Sequence, residues 1–174
     1  MSAKFKKSYT YYPNGVQGLN KSCCRQAPGL AIGTDKTTAK TSNTFSIRYS
    51  PSIYQPAIFS AAKTTADCPA LTTSDAGVTP IADGYSRVYT LLGVASESTG
   101  AITLSWVNSD DIDTHRGPLN ESDINYGDGT KAIIGSVYIK WEPNTGASFT
   151  PGTTLLDAVG ATTSYGDAYG YVIA

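Results

Sequence analysis

The sequence predicts an all-β protein: an antiparallel β-sandwich or jelly-roll-like domain over residues 43–174, preceded by an extended N-terminal arm over residues 1–42. Three observations carry that prediction. Gly (17) and Pro (9) are spread along all 174 residues, a spacing of turn-formers that suits short strands joined by turns. Apolar and polar residues alternate at period two in several places, most cleanly over residues 132–141, AIIGSVYIKW, as in a half-buried strand. Charged residues make up only 16% of the chain, under the usual quarter, and Gly, Ser, Thr and Tyr fill their place. The length suits one domain with a core large enough to fold without disulfides or a metal.

Residues 1–42 show neither helical nor strand periodicity for long. They carry Lys4, Lys6, Lys7, Lys21, Arg25, Lys36 and Lys40 against Asp35 alone, a net +6, which leaves −7 for the rest of a chain whose total is −1. A basic leader on an acidic body marks an arm that docks on an acidic partner. Phe5, Tyr9, Tyr11 and Tyr12 lie among the lysines. The residues expected to make the docking contact are therefore Lys4, Phe5, Lys6, Lys7, Tyr9, Tyr11, Tyr12, Lys21 and Arg25, with the cations steering and the rings anchoring. Interleaved bases and rings also suit single-stranded nucleic acid, but the acidic remainder would repel a phosphate backbone. Cys23 and Cys24 are adjacent and Cys68 is a lone third, so no C-x-x-C spacing serves zinc or redox work, and reduced structural thiols are expected. No apolar run is long enough to cross a bilayer, and the start MSAKFKKSYTYY lacks the apolar core of a signal peptide, which predicts a protein made and assembled in a cytoplasm with no membrane partner.

From Asn43 the strands follow in turn. Phe45, Ile47 and Tyr49 alternate with Ser46 and Arg48, and Pro51 ends the run. Residues 56–67, PAIFSAAKTTAD, are ambiguous: Pro at a first helical position and three alanines favour a short helix, Thr64 and Thr65 oppose it. Asp83-Gly84 turns the chain into a strand over 85–95 with apolar residues on both faces, as expected of a strand covered on both sides. A polar loop, 96–100, leads to a strand in which Ile102, Leu104 and Trp106 alternate with Thr103, Ser105 and Val107. Two such runs around a short Gly-containing loop predict a hairpin at the centre of the sheet. In the strand over 132–141, Ile133, Val137, Ile139 and Trp141 are placed on one face and Ser136, Tyr138 and Lys140 on the other. Pro143, Gly146, Pro151 and Gly152 then make a long ordered loop, and strands at 162–165 and 168–173 close the chain.

Any site chemistry would have to sit in the acidic insertion 108–130. Asp110, Asp111, Asp113, Glu121, Asp123 and Asp128 are hard oxygen ligands of the kind calcium uses, but their spacing does not make an EF-hand loop. Carboxylates in turns more often cap backbone amides. His115 is the only histidine, so a nucleophilic centre could form in one way only, around Asp111 or Asp113, and no G-x-S-x-G elbow presents a serine. Asn120-Glu121-Ser122 fits a glycosylation sequon and reads as a chance match. A phosphate-binding loop is absent as well. The sequence predicts a binding protein with no catalytic residues, metal or cofactor.

The run Ile133-Ile134-Gly135-Ser136-Val137-Tyr138-Ile139-Lys140, with Phe149-Thr150-Pro151-Gly152-Thr153-Thr154-Leu155-Leu156-Asp157-Ala158 and Ala161-Thr162 after it, resembles small virion proteins of tailed bacteriophages, in which an "iG-v-v" strand leads to an "F-tpGtt-L-a-G-t" loop. The segment 85–107, with Gly100-Ala101-Ile102-Thr103, is similar to the same group's preceding hairpin, and Phe45-Ser46-Ile47 to its first strand. The resemblance covers residues 43–165 and leaves out the arm and the acidic insertion. It implies a capsid decoration or cement subunit, or a head-fibre base, that binds and stabilises the major capsid protein lattice on the virion surface, and it names no catalytic residue. Capsid junctions have three-fold symmetry, which makes a homotrimer the expected form. A tail or neck component would share these features. The competing expectation is a glycan-binding adhesin or fibre module that stacks sugars on exposed rings among 12 Tyr, Trp106 and Trp141; the strand alternation, however, places both tryptophans inward.

Overall fold

A computed structural model of the chain describes residues 22–50, 57–71, 80–116 and 131–168. Among the described residues the strands in chain order are β1 (Cys23–Cys24), β2 (Leu30–Ile32), β3 (Ala39–Thr41), β4 (Ile47–Tyr49), β5 (Ile58–Phe59), β6 (Ala66–Asp67), β7 (Tyr85–Ala95), β8 (Ile102–Asn108), β9 (Ile112–Asp113), β10 (Ala132–Trp141) and β11 (Ala161–Asp167), with a 3-10 turn at Thr114–Arg116. The protein is all-β and every pairing is antiparallel.

The main sheet has the order β11-β10-β7-β8, with β9 pairing the start of β7. β7 and β10 are its long members because their alternation runs unbroken by Pro. As expected, β7 is buried on both faces: Val88 and Leu92 on one, Tyr89 and Leu91 on the other. β8 follows it through a hairpin whose loop closes at Gly100, held at φ 67, a conformation glycine adopts without strain. The expected centre needs correcting, however. β8 lies at an edge, and the central pair is β7–β10, because a strand that returns to β7 after the insertion takes the other side.

β10 departs from the expected faces at one point. The register slips between Ile133 and Gly135, a β-bulge that reverses the parity of the side chains. Ile134 is therefore the fully buried residue together with Val137, Ile139 and Trp141, and Ile133 is only half-buried.

Two three-stranded sheets, β1-β4-β5 and β2-β3-β6, lie against one face of the main sheet. Cys24, Ile47, Leu30 and Ala39 from the small sheets join Tyr89, Leu91, Ile134, Val137 and Ile139 in one core. This moves the boundary expected at residue 42. The part of the arm that is described, 22–42, is folded into the body, because Cys24, Leu30 and Ala39 have apolar surface to bury and the face of β10 accepts it. Leu30 fits there because Gly135 carries no side chain: a Cβ on it would meet Leu30 Cδ1 at 2.5 Å and Gly166 O at 2.5 Å. The carboxylate of Asp167, at the end of β11, fixes the start of β2 by accepting from Leu30 N (2.8 Å) and Gly29 N (3.2 Å). The ambiguous segment forms β5, a bridge of Lys63 to Phe45, and β6; no helix forms in residues 57–67. The loop 142–160 is ordered as expected, with Phe149 bridging Ile81 and packing edge-on to Trp141 at 5.7 Å. The strand expected at 162–165 is β11; the one expected at 168–173 lies outside the described residues, Ala168 excepted.

Candidate docking surface

Of the residues expected to make the docking contact, Lys4, Phe5, Lys6, Lys7, Tyr9, Tyr11, Tyr12 and Lys21 lie outside the described residues. Arg25 is described, and its surroundings define a surface. In the sheet β1-β4-β5 the register sets Cys23 opposite Arg48 and Arg48 opposite Phe59. Ile47 on β4 points into the core, so by strand alternation this row points away from it. Arg25, two residues past Cys23, holds its guanidinium 5.3 Å from the centre of the Phe59 ring, within cation–π range. Phe59 is 58% exposed, so its ring is accessible to a partner as well as to Arg25.

The electrostatics of this row have one sign. No residue in 22–25, 46–50 or 57–60 is acidic, and neither Arg25 nor Arg48 forms an ion pair among the described residues. Both arginines pull the Cys23 thiol downward, but burial outweighs them and holds it above its ordinary value. Cys24 is pushed up to about 12 by burial, against the hydrogen bond it makes to Gln26 O. All three cysteines are free. Arg25 was foreseen from sequence; Arg48 and Phe59 were missed, since only cross-strand pairing brings them beside it. The signal available was the absence of any carboxylate in residues 43–60.

The acidic insertion is described as far as Arg116, and its Asp111 and Asp113 are engaged locally. Arg87, 3% exposed, binds Asp111 Oδ1 through Nε (2.7 Å) and a terminal nitrogen (2.6 Å), and donates to Tyr89 Oη at 3.2 Å. Burial opposes the Arg87 charge, but Tyr89 and Asp111 outweigh it and the pKa stays above the ordinary value. The neutral phenol of Tyr89 is favoured by burial, against the pull of Arg87. Asp113 accepts from His115 N at 2.8 Å and stands 3.0 Å from its Nδ1, with the ring 75% exposed, the turn-capping use expected of these carboxylates. Among the described residues no group of three or more His, Cys, Asp or Glu is placed to hold a metal; Glu121, Asp123 and Asp128 lie outside them. Trp106 and Trp141 are buried, as their alternation indicated, with each indole N–H donating at 2.8 Å, to Pro69 O and Ala147 O. No family model, curated protein or solved structure matches the chain.

Proposed function

We propose that the protein is a structural component of a tailed-phage virion that binds the major capsid protein lattice and stabilises it, as a homotrimeric decoration or cement subunit on the capsid surface. The observation that supports this most is the row Arg25–Arg48–Phe59, cationic and aromatic with no carboxylate in it. In sequence it begins directly after the lysine- and tyrosine-rich residues 1–21, whose charge has the same sign and whose rings would add to it in docking on an acidic partner. A subunit that binds only the assembled shell shifts the equilibrium toward that shell. The glycan-binding alternative loses its best platforms, because both indoles are buried and their N–H groups already bonded.

The test is co-sedimentation with capsids of the phage that encodes the chain. Charge reversal at Lys4, Lys6 and Lys7, and separately at Arg25 and Arg48, is expected to lower occupancy, and added salt is expected to lower wild-type occupancy in the same direction. Occupancy unchanged by both sets of reversals at physiological salt overturns the proposal.

A further inference from the structure

Among the described residues the main sheet ends in two edge strands, β8 and β11, and their geometry makes them partners for each other. Glu142 N donates to Gly160 O and Ala168 N to Ile134 O. With the β10–β11 register, these bonds fix which backbone groups of β11 face β10: those of Thr162, Ser164 and Gly166. The N–H and C=O groups of Thr163, Tyr165 and Asp167 point the other way, since antiparallel strands alternate in this respect. On β8, the bonds from Ser96 N to Ala101 O and from Ser109 N to Val88 O fix the same alternation. Thr103, Ser105 and Val107 face β7, while the backbones of Ile102, Leu104 and Trp106 point outward. Among the described residues these outward groups meet no backbone partner.

Three properties match the two edges. Each strand in β11-β10-β7-β8 is antiparallel to the next, so β8 and β11 run in opposite directions, and β8 of one copy laid beside β11 of another continues the antiparallel order. Both strands are seven residues long, and each presents the same outward pattern, every second residue. The side chains agree in sense as well: Ile102, Leu104 and Tyr165 all lie on the face that packs against the core. The pairing then sets Leu104 opposite Tyr165, Trp106 opposite Thr163 and Ile102 opposite Asp167.

Edge strands of monomeric proteins are usually guarded by charge, proline or a bulge. β8, ITLSWVN, has no charged residue or proline. β11, ATTSYGD, has only Asp167, whose carboxylate is turned back onto the amides of Gly29 and Leu30. A foreign strand would cover one edge and leave the other open. A second copy of this chain covers either edge with the other.

We propose that copies of the chain associate head to tail, β8 of one pairing antiparallel with β11 of the next, and that the set closes into a ring so that no edge is left open. The interface needs no capsid and goes beyond the docking reading, although it would supply the contact for the trimer proposed there.

The pairing places Ser105 opposite Ser164 as a close, non-hydrogen-bonded pair, where like charges destabilise and opposite charges are tolerated. The experiment is light scattering of the full chain and two double variants, with circular dichroism as the check on folding. The wild type is expected at three times the chain mass of 18.3 kDa. S105K/S164K is expected to fall to one chain mass with its strand spectrum kept, and S105K/S164E to return to the wild-type mass. A monomeric wild type, an oligomer that survives S105K/S164K, or a failure of S105K/S164E to restore it each overturns the proposal. A disulfide between separately prepared S105C and S164C chains, formed on mixing, is the expected positive result. Crosslinking of S105C or S164C chains only to themselves overturns it in favour of a two-fold contact. Because no readout involves a capsid, failure here leaves arm docking standing, and loss of docking leaves this pairing standing.

Discussion

The main sheet and the two small sheets reach order by different means. β7 and β10 are eleven and ten residues long, so backbone ladder bonds accumulate along them and the buried faces of Leu91, Val137 and Ile139 lock the register. The strands β1 to β6 are two or three residues each, too short to hold a register alone. Polar side chains do the work the ladder cannot. Gln26 Oε1 accepts from Ser46 N and Oγ at 2.9 and 3.0 Å, Ser60 Oγ from Ile47 N at 2.8 Å, and Asp167 from Leu30 N at 2.8 Å. One region is held by hydrophobic burial along a ladder; the other is fastened to it at specific polar points.

Substitutions should separate the two regimes. Ile139→Ala, in the middle of the long ladder, is expected to cost about 3–4 kcal/mol as lost burial plus a cavity, read as a lower denaturant midpoint for the whole molecule. Arg87→Met leaves Asp111 and the Tyr89 hydroxyl without their partner and is expected to cost about 3 kcal/mol, again as global unfolding. Equal stability of that variant and the wild type would mean the ion pair is dispensable. Gly135→Ala strikes the seam between the regions, where a methyl would meet Leu30 and Gly166 O; about 2 kcal/mol is expected from overpacking, with β2 loosening first. Asp167→Asn removes the charge from the bonds to Gly29 and Leu30 and is expected to cost about 1 kcal/mol. Its effect should be local, with faster hydrogen exchange at Leu30 and Ile32 and none at Val137; uniform acceleration would erase the distinction between the regions.

Alkaline pH gives the gentlest probe. Burial pushes Cys24 and Cys68 up to about 12 from 9.0, and burial with Asp157 pushes Tyr165 up to about 12 from 10.0. The folded state thus keeps protons that the unfolded chain has released, so this contribution is complete below about pH 9 and declines as the pH rises toward 12. Two of the three groups join a small sheet to the core, so loss of near-ultraviolet signal is expected to begin there. Thiol labelling at pH 8 should find Cys23, which is half-exposed, well ahead of Cys24 and Cys68.

The same contrast explains what could be read from the chain. Period-two alternation over 85–95 and 102–107 located β7 and β8 closely, because a strand with a buried face has to show it. The bulge at Ile133–Gly135 was illegible, since a one-residue slip leaves composition unchanged and Ile133 and Ile134 are equally apolar. Residues 22–42 offered no periodicity because strands of two or three residues have none to offer; their membership of the body depends on Gly135 and Asp167, both more than a hundred residues after Leu30. At the candidate docking surface, charge made Arg25 visible, while Arg48 and Phe59 become its neighbours only through the β1-β4-β5 register.

The Asp167 clasp also bears on how the chain folds as it is made. Asp167 lies 137 residues after Leu30, and a ribosome adding about 5–20 residues per second needs roughly 7–27 s to pass from one to the other. For that whole interval the segments of β1, β2 and β3 lack the carboxylate that fixes β2, and for most of it they lack the seam on β10 as well. Their docking is therefore expected to wait for the far end of the chain although they are synthesised early, with the apolar side chains of Cys24, Leu30 and Ile32 lacking their native cover until then.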